Sequence, residues 1–255
     1  MGNVSKMKQL TFENVHFRYK GKKEEALKGI SFTLKQGEKV ALIGRNGSGK
    51  STLILQANGI LRPQKGKIYI DHKELRYDHH SLVELRRQVG VVFQNPDEQL
   101  FSASVLQDLS FGALNIGLSA TQAEQRVMEI AELCNCQHLL DSPTFALSGG
   151  EKTIIALAGI LIMQPTFLFV DEILGSLDVW MQERILAIFD QLINKGLCVI
   201  LATHDLNFVS RWADRVIYLQ DGVVLYQGKP QEVFSQLCVP DFVFNHWKLG
   251  VNTCG

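Results

Sequence analysis

Three short stretches carry residue types suited to phosphate chemistry. Residues 44–52 read GRNGSGKST and fit G-x-x-x-x-G-K-[ST] through Gly44, Gly49, Lys50 and Ser51, directly after the apolar run KVALI. Glycines in such a loop let consecutive backbone N–H groups turn inward as an anion nest, and the helix that follows offers its N-terminus to phosphate. Asn46, Gly47, Ser48, Gly49 and Thr52 complete the cradle. Lys50 is placed to reach β- and γ-phosphates and Ser51 to ligate magnesium. A plain glycine-rich turn with a solvated lysine is the competing reading, and the strand directly upstream weighs against it. Residues 166–172, TFLFVDE, end an apolar run in two carboxylates. Asp171 suits a magnesium ligand, and Glu172 suits a general base that polarises water. The third stretch, LSGGE at 147–151, puts Ser148, Gly149 and Gly150 at a predicted helix start, a second phosphate-binding terminus. One nucleotide does not need two such termini, so two chains are expected to close each other's sites.

The elements that must position these groups are legible as a pattern. LTFENVHFRY (10–19) alternates like a strand. The runs at 39–44, 89–94, 166–172 and 197–205 are short, apolar and end in polar residues, as buried parallel strands do. Ligands bind at the carboxyl ends of such strands. Between Ser102 and Met163 the pattern turns helical, with capping boxes offered at Ser119–Gln122 and at Thr121–Glu124. RVIYLQDGVVLYQG (215–228) reads as a hairpin turning at Asp221-Gly222. Residues 235–255 are expected to be a short helix and a loose tail.

Bulk properties exclude several function classes. Among 255 residues, 26 Lys plus Arg balance 26 Asp plus Glu, so no global field favours nucleic acid or an anionic membrane. Five scattered cysteines (134, 136, 198, 238 and 254) suggest no disulfide framework, and Cys198 falls in an apolar run. Cys134-Asn-Cys136 lacks the further partners of a closed metal site, and His72, His79 and His80 are expected to be solvated or packing residues. No segment reads as a signal peptide or a spanning helix. The expectation is a protein kept inside the cell, with any membrane role coming through a partner.

The order of motifs resembles the ATPase subunit of ABC transporters: the loop at 44–52, Gln94, LSGG, the Asp171-Glu172 strand, SLD at 176–178 and THD at 203–205. Within that family GVVFQNPDEQLFSASVLQDLSFG (90–112) is similar to energy-coupling-factor ATPases. With KELRYDHHSLVELRRQVG (73–90) it resembles the cobalt and nickel branch, and a vitamin importer is the near alternative. The resemblance implies an α/β P-loop NTPase (RecA-like) core with an antiparallel β subdomain and an inserted helical subdomain at about 102–163. One ABC ATPase domain would span 8–234, with a tail at 235–255. It implies ATP and Mg²⁺ as cofactors, and a second ATPase chain, identical or not, as partner. It also implies an integral membrane coupling subunit and a substrate-binding membrane subunit, no nucleic acid, and a peripheral place on the cytoplasmic face of the cell membrane. Tyr19 would stack on adenine, the competing reading being an ordinary strand aromatic. Gln94 would sense the γ-phosphate, join the magnesium ligands and link to the membrane partner. Asn95 to Leu100 would line the coupling groove, where acidic Asp97 and Glu98 suit a partner arginine. Ser148 and Gly150 would hold the opposite chain's γ-phosphate, Asp178 would sit at the dimer seam, and His204 would bind the γ-phosphate and orient Glu172.

The chain departs from the family's wording in three places. Glu151 stands for glutamine, Ile154 for arginine, and Ile173-Leu174 for the proline and threonine after the base. Glu151 brings a charge near the polyphosphate. Ile154 removes a cation, which is expected to loosen docking of the helix. The lost proline frees the backbone beside the base. Every bond-making group remains, so the expectation is a competent but slow ATPase. The alternative is an ATP-gated clamp with negligible hydrolysis, the weak member of an unequal pair.

Overall fold

The computed structural model describes residues 7–237. Two sheets divide the strands. The first is antiparallel, in the order β2 (Leu27–Lys35), β1 (Gln9–Phe17), β4 (Lys65–Ile70), β5 (Lys73–Glu74). The second has the order β10 (Val223–Gly228), β9 (Arg215–Gln220), β3 (Lys39–Ile43), β8 (Cys198–Thr203), β7 (Phe167–Asp171), β6 (Val89–Val92). Its pairings are parallel from β9 to β6, and β10 returns antiparallel through the Asp221-Gly222 turn, both residues at positive φ. Among the described residues the α-helices are α1 (Lys50–Ala57), α2 (His79–Gln88), α3 (Val105–Asn115), α4 (Ala120–Leu133), α5 (Gly149–Leu161), α6 (Val179–Ile193), α7 (Leu206–Trp212) and α8 (Pro230–Gln236). Helix α8 ends at Gln236, just inside the stretch 235–255; the short helix and loose tail expected there lie, from residue 238 on, outside the described residues.

The central strands are apolar on both faces because both faces are covered. Along β7, Phe167 and Phe169 join the core shared with α1 and the antiparallel sheet, while Leu168 and Val170 join the core under α3, α4, α5 and α6. All four are fully buried, each worth about 1.5–3 kcal/mol relative to exposure. By the same two-residue period, Asp171 faces the side on which α1 lies.

Helices α3, α4 and α5 form the expected helical layer. Ser119 caps α4 in a full capping box with Gln122. The alternative box at Thr121–Glu124 is not used, because Thr121 is already inside the helix. Helix α5 lies directly on β6: a Cβ added to Gly90 would stand 2.3 Å from Ile160 Cγ2, so only glycine permits this approach. Arg184 of α6 donates to the carbonyls of Cys134 and Asn135 at the end of α4, a cation where the helix dipole favours one. Cys134, Cys136 and Cys198 are buried free thiols, and burial pushes Cys134 up to about 12 and Cys136 to about 11.

Candidate functional site

The register of the parallel sheet brings the chemistry-bearing ends together. Ile43 pairs with Thr203, Asp171 with Ala202, and Val92 with Val170. The residues that follow (Gly44, His204, Glu172 and Gln94) therefore leave the sheet along one edge. Between them and α1 opens a cleft of about 430 Å³, lined by Tyr19, Asn46, Gly47, Gly49, Lys50, Ser51, Thr52, Gln94, Asp171 and Glu172, with Ala26.

Close approach forces the loop's sequence. A Cβ on Gly44 would lie 2.2 Å from the Leu219 carbonyl oxygen and 2.6 Å from Ser48 Oγ. Gly49, in the left-handed region, precedes α1 without any side-chain cap, so the first N–H groups of that helix have no capping side chain. Lys50 is buried; its Nζ donates to the Gly44 carbonyl at 2.8 Å and stands 3.3 Å from Glu172 Oε1. Tyr19, past the end of β1 and 40% exposed, meets Thr52 Oγ1 through its hydroxyl at 3.2 Å and packs edge-on to Phe17. It is therefore a rim residue and not an ordinary strand aromatic.

Burial pushes the Asp171 carboxyl above its ordinary range, and the neighbouring Glu172 charge adds to this; a hydrogen bond with Ser51 and the Lys50 charge act in the opposite direction. A carboxylate and a hydroxyl are hard oxygen donors of the kind magnesium takes. Among the described residues no cluster of three His, Cys, Asp or Glu side chains could enclose a metal by itself. Two side-chain oxygens beside a phosphate cradle fit an ion that shares its remaining positions with phosphate and water.

Glu172 has φ +51° and its N–H donates to the Ala202 carbonyl at 3.1 Å. The chain therefore turns out of the sheet on the backbone of Glu172 itself. Ile173 and Leu174 go inward and are 1% and 8% exposed. Ile173 has φ −69°, near the value a proline would impose, so the backbone takes the same path without one. Ile154 is likewise fully buried, and its replacement of a cation extends the core.

A second group forms elsewhere. Ser148 caps α5, Asp178 caps α6, and a Cβ on Gly150 would lie 3.4 Å from Met181 Cε. Neither Ser148, Gly149, Gly150, Asp178 nor His204 lines the cleft. Ser148 is engaged within its own helix: its N–H and hydroxyl both donate to Glu151 Oε2 at 2.7 Å, and these bonds hold Glu151 below the usual carboxylate range. Asp97 is paired with Lys152 of α5 at 2.6 Å, so of the two acids expected to await a partner's arginine only Glu98 lacks a cation among the described residues. Ala26 was not foreseen; a small apolar residue carries no chemical signal.

A family model described as ABC transporter matches residues 27–175. The energy-coupling factor transporter ATP-binding protein EcfA of Methanocaldococcus jannaschii is 44% identical over 225 residues, covering 88% of this chain and 80% of that protein. EcfA3 of Clostridium perfringens is 41% identical over 228 residues, covering 89% and 80%. Among solved structures, cbiO1 from Clostridium perfringens, described as part of the ABC transporter complex cbiONQ, aligns with TM-score 0.80 at 41% identity over 89% of this chain and 91% of that one. A bacterial ABC transporter cassette solved as a dimer aligns with TM-score 0.78 at 29% identity, over 87% and 98%. With the loop, the paired carboxylates and the helical layer all in place, the chain belongs to the ATP-binding subunits of ABC transporters, of the energy-coupling-factor type, and is an ATP-hydrolysing translocase component.

Proposed function

We propose that this chain powers import of cobalt or nickel ions, working with a second ATPase chain, a membrane coupling subunit and a substrate-binding membrane subunit at the cytoplasmic face of the membrane. The observation that carries the reading is the convergence of Lys50, Ser51, Gln94, Asp171 and Glu172 in one cleft. No helix among the described residues is long and apolar enough to cross a membrane, so a membrane role would run through partners. The similarity to cbiO1 supports the metal-ion substrate; a vitamin importer with a similar ATPase is the alternative. The assignment of a second chain is supported by the separation of Ser148 and Asp178 from the cleft. Apolar residues stand exposed beside them, with Phe145 at 81%, Val179 at 68% and Trp180 at 87%.

In the proposed mechanism the loop N–H groups and Lys50 neutralise the polyphosphate of ATP, and Tyr19 stacks on its base. Ser51 and Asp171, with Gln94, would hold Mg²⁺, which supplies charge neutralisation at the transferring phosphoryl group. Glu172 takes the proton of the attacking water; for that it must leave Lys50, which polyphosphate oxygens draw away. His204 orients Glu172, and Ser148 and Gly150 of the opposite chain close the site.

The test is ATP turnover by the chain purified with its membrane subunits, against Glu172→Gln. Loss of about 10²–10⁴-fold is expected for a general base. Equal, near-zero turnover in both, with ATP still bound, would leave an ATP-gated clamp driven by another chain's hydrolysis.

A further inference from the structure

Glu151 restrains the very hydroxyl that is proposed to meet the opposite chain's nucleotide. Its carboxylate carries no proton, so at 2.7 Å the Ser148 hydroxyl must donate inward, to Glu151 Oε2. The Glu151 N–H donates to Ser148 Oγ in return, at 3.4 Å. What remains of Ser148 toward the outside is lone-pair density, beside a full negative charge. The capping side chains serve the N–H groups of Ser148 and Glu151 and leave those of Gly149 and Gly150, the first two positions of α5, without a capping acceptor. A phosphate arriving there gains two backbone donors and loses the third, the hydroxyl, while an anion stands within one residue's reach.

We infer that Glu151 is a positioning residue that weakens nucleotide capture at the start of α5 by holding the Ser148 hydroxyl proton. The inference rests on the reading that this helix start faces the opposite chain's γ-phosphate. A glutamine at 151 accepts the Ser148 N–H through its oxygen, keeps the capping box, and can offer its amide N–H to Ser148 Oγ, which turns the hydroxyl proton outward. The charge disappears in the same change. A full engagement of α5 in the natural chain therefore requires the carboxylate to swing away first, at the expense of its own helix cap.

The experiment compares KM for ATP and kcat across four versions of the chain, each purified with its membrane subunits: parent, Glu151→Gln, Ser148→Ala and the double variant. Glu151→Gln is expected to lower KM about tenfold, the worth of one hydrogen bond to a charged group, with little change in kcat because the contact is present before the transition state. Thermal unfolding without nucleotide should fall only slightly, since the cap survives while the charge that favours the helix N-terminus is lost. The double variant is expected to fall back to the KM of Ser148→Ala alone. A Glu151→Gln gain that persists undiminished without the Ser148 hydroxyl overturns the positioning role, as does no gain at all while Ser148→Ala still raises KM. If removing the Ser148 hydroxyl changes neither constant even in the Glu151→Gln background, the reading of α5 as a nucleotide contact fails instead.

Discussion

Two helices of this molecule begin near glycine pairs, and they treat their N-termini in opposite ways. At α1 the terminus has no side-chain cap, follows a left-handed glycine, and is flanked by a buried lysine. At α5 the terminus is capped twice over by Ser148 and Glu151 and carries a carboxylate. Both starts expose the same backbone donors. The difference lies in what the side chains have already done with them: α1 is open to an external anion and α5 has supplied its own. The first kind of site is ready as folded, whereas the second must give up a local interaction before it can act.

The comparison breaks most severely at Ile154. Restoring the family's cation with Ile154→Arg would place an unpaired charge in the core beneath α5, where the position is fully buried. A loss of about 3 kcal/mol or more is expected by denaturant titration. A stable Ile154→Arg protein with faster turnover would show that the isoleucine is a catalytic handicap and not packing. Next comes the open terminus. Gly44→Ala drives a methyl into the Leu219 carbonyl, with an expected loss of about 1–3 kcal/mol and of ATP binding measured calorimetrically. Unchanged binding would mean that the loop yields easily.

The smallest effect is a pH dependence. Because the Asp171 carboxyl is raised in the folded chain, the native state holds its proton more tightly than the unfolded one. Stability from this group therefore declines as pH rises from the ordinary aspartate range through the folded value, then levels off. Asp171→Asn should lack that decline. In parallel, magnesium-dependent nucleotide affinity should fall on acidification at a higher pH than an ordinary aspartate would give, because the ion needs the charged form. Identical pH profiles for the two chains would remove Asp171 from the ion's ligands.

Much of this was legible in the sequence because it rests on local rules. The parallel strands announced themselves as short apolar runs, and the loop at 44–52 by spacing. Ser148 was legible as a helix start from a serine followed by two glycines, whereas the capping box it closes with Glu151 came from the fold. What was not legible depends on packing. Ile154, Ile173 and Leu174 looked like losses of polar function, yet each fills the core; only the fold shows which way a side chain points. The left-handed backbone of Glu172 had no local signal, since glutamate rarely adopts it. The pairing of Asp97 with Lys152 joins residues 55 apart in sequence, which no local pattern can reveal.

The contact of Ile160 with Gly90 has a mechanical consequence. Helix α5 spans 13 residues, a rod of about 20 Å at 1.5 Å per residue, with Ile160 pressed on bare strand backbone at one end and Ser148 at the other. That seat lies four residues before Gln94. By lever geometry, a tilt of about 5° on a rod of this length displaces Ser148 by roughly 1.7 Å, more than half a hydrogen-bond length. A bulkier residue than glycine at 90 would push against Ile160 and reset the resting angle of the whole arm.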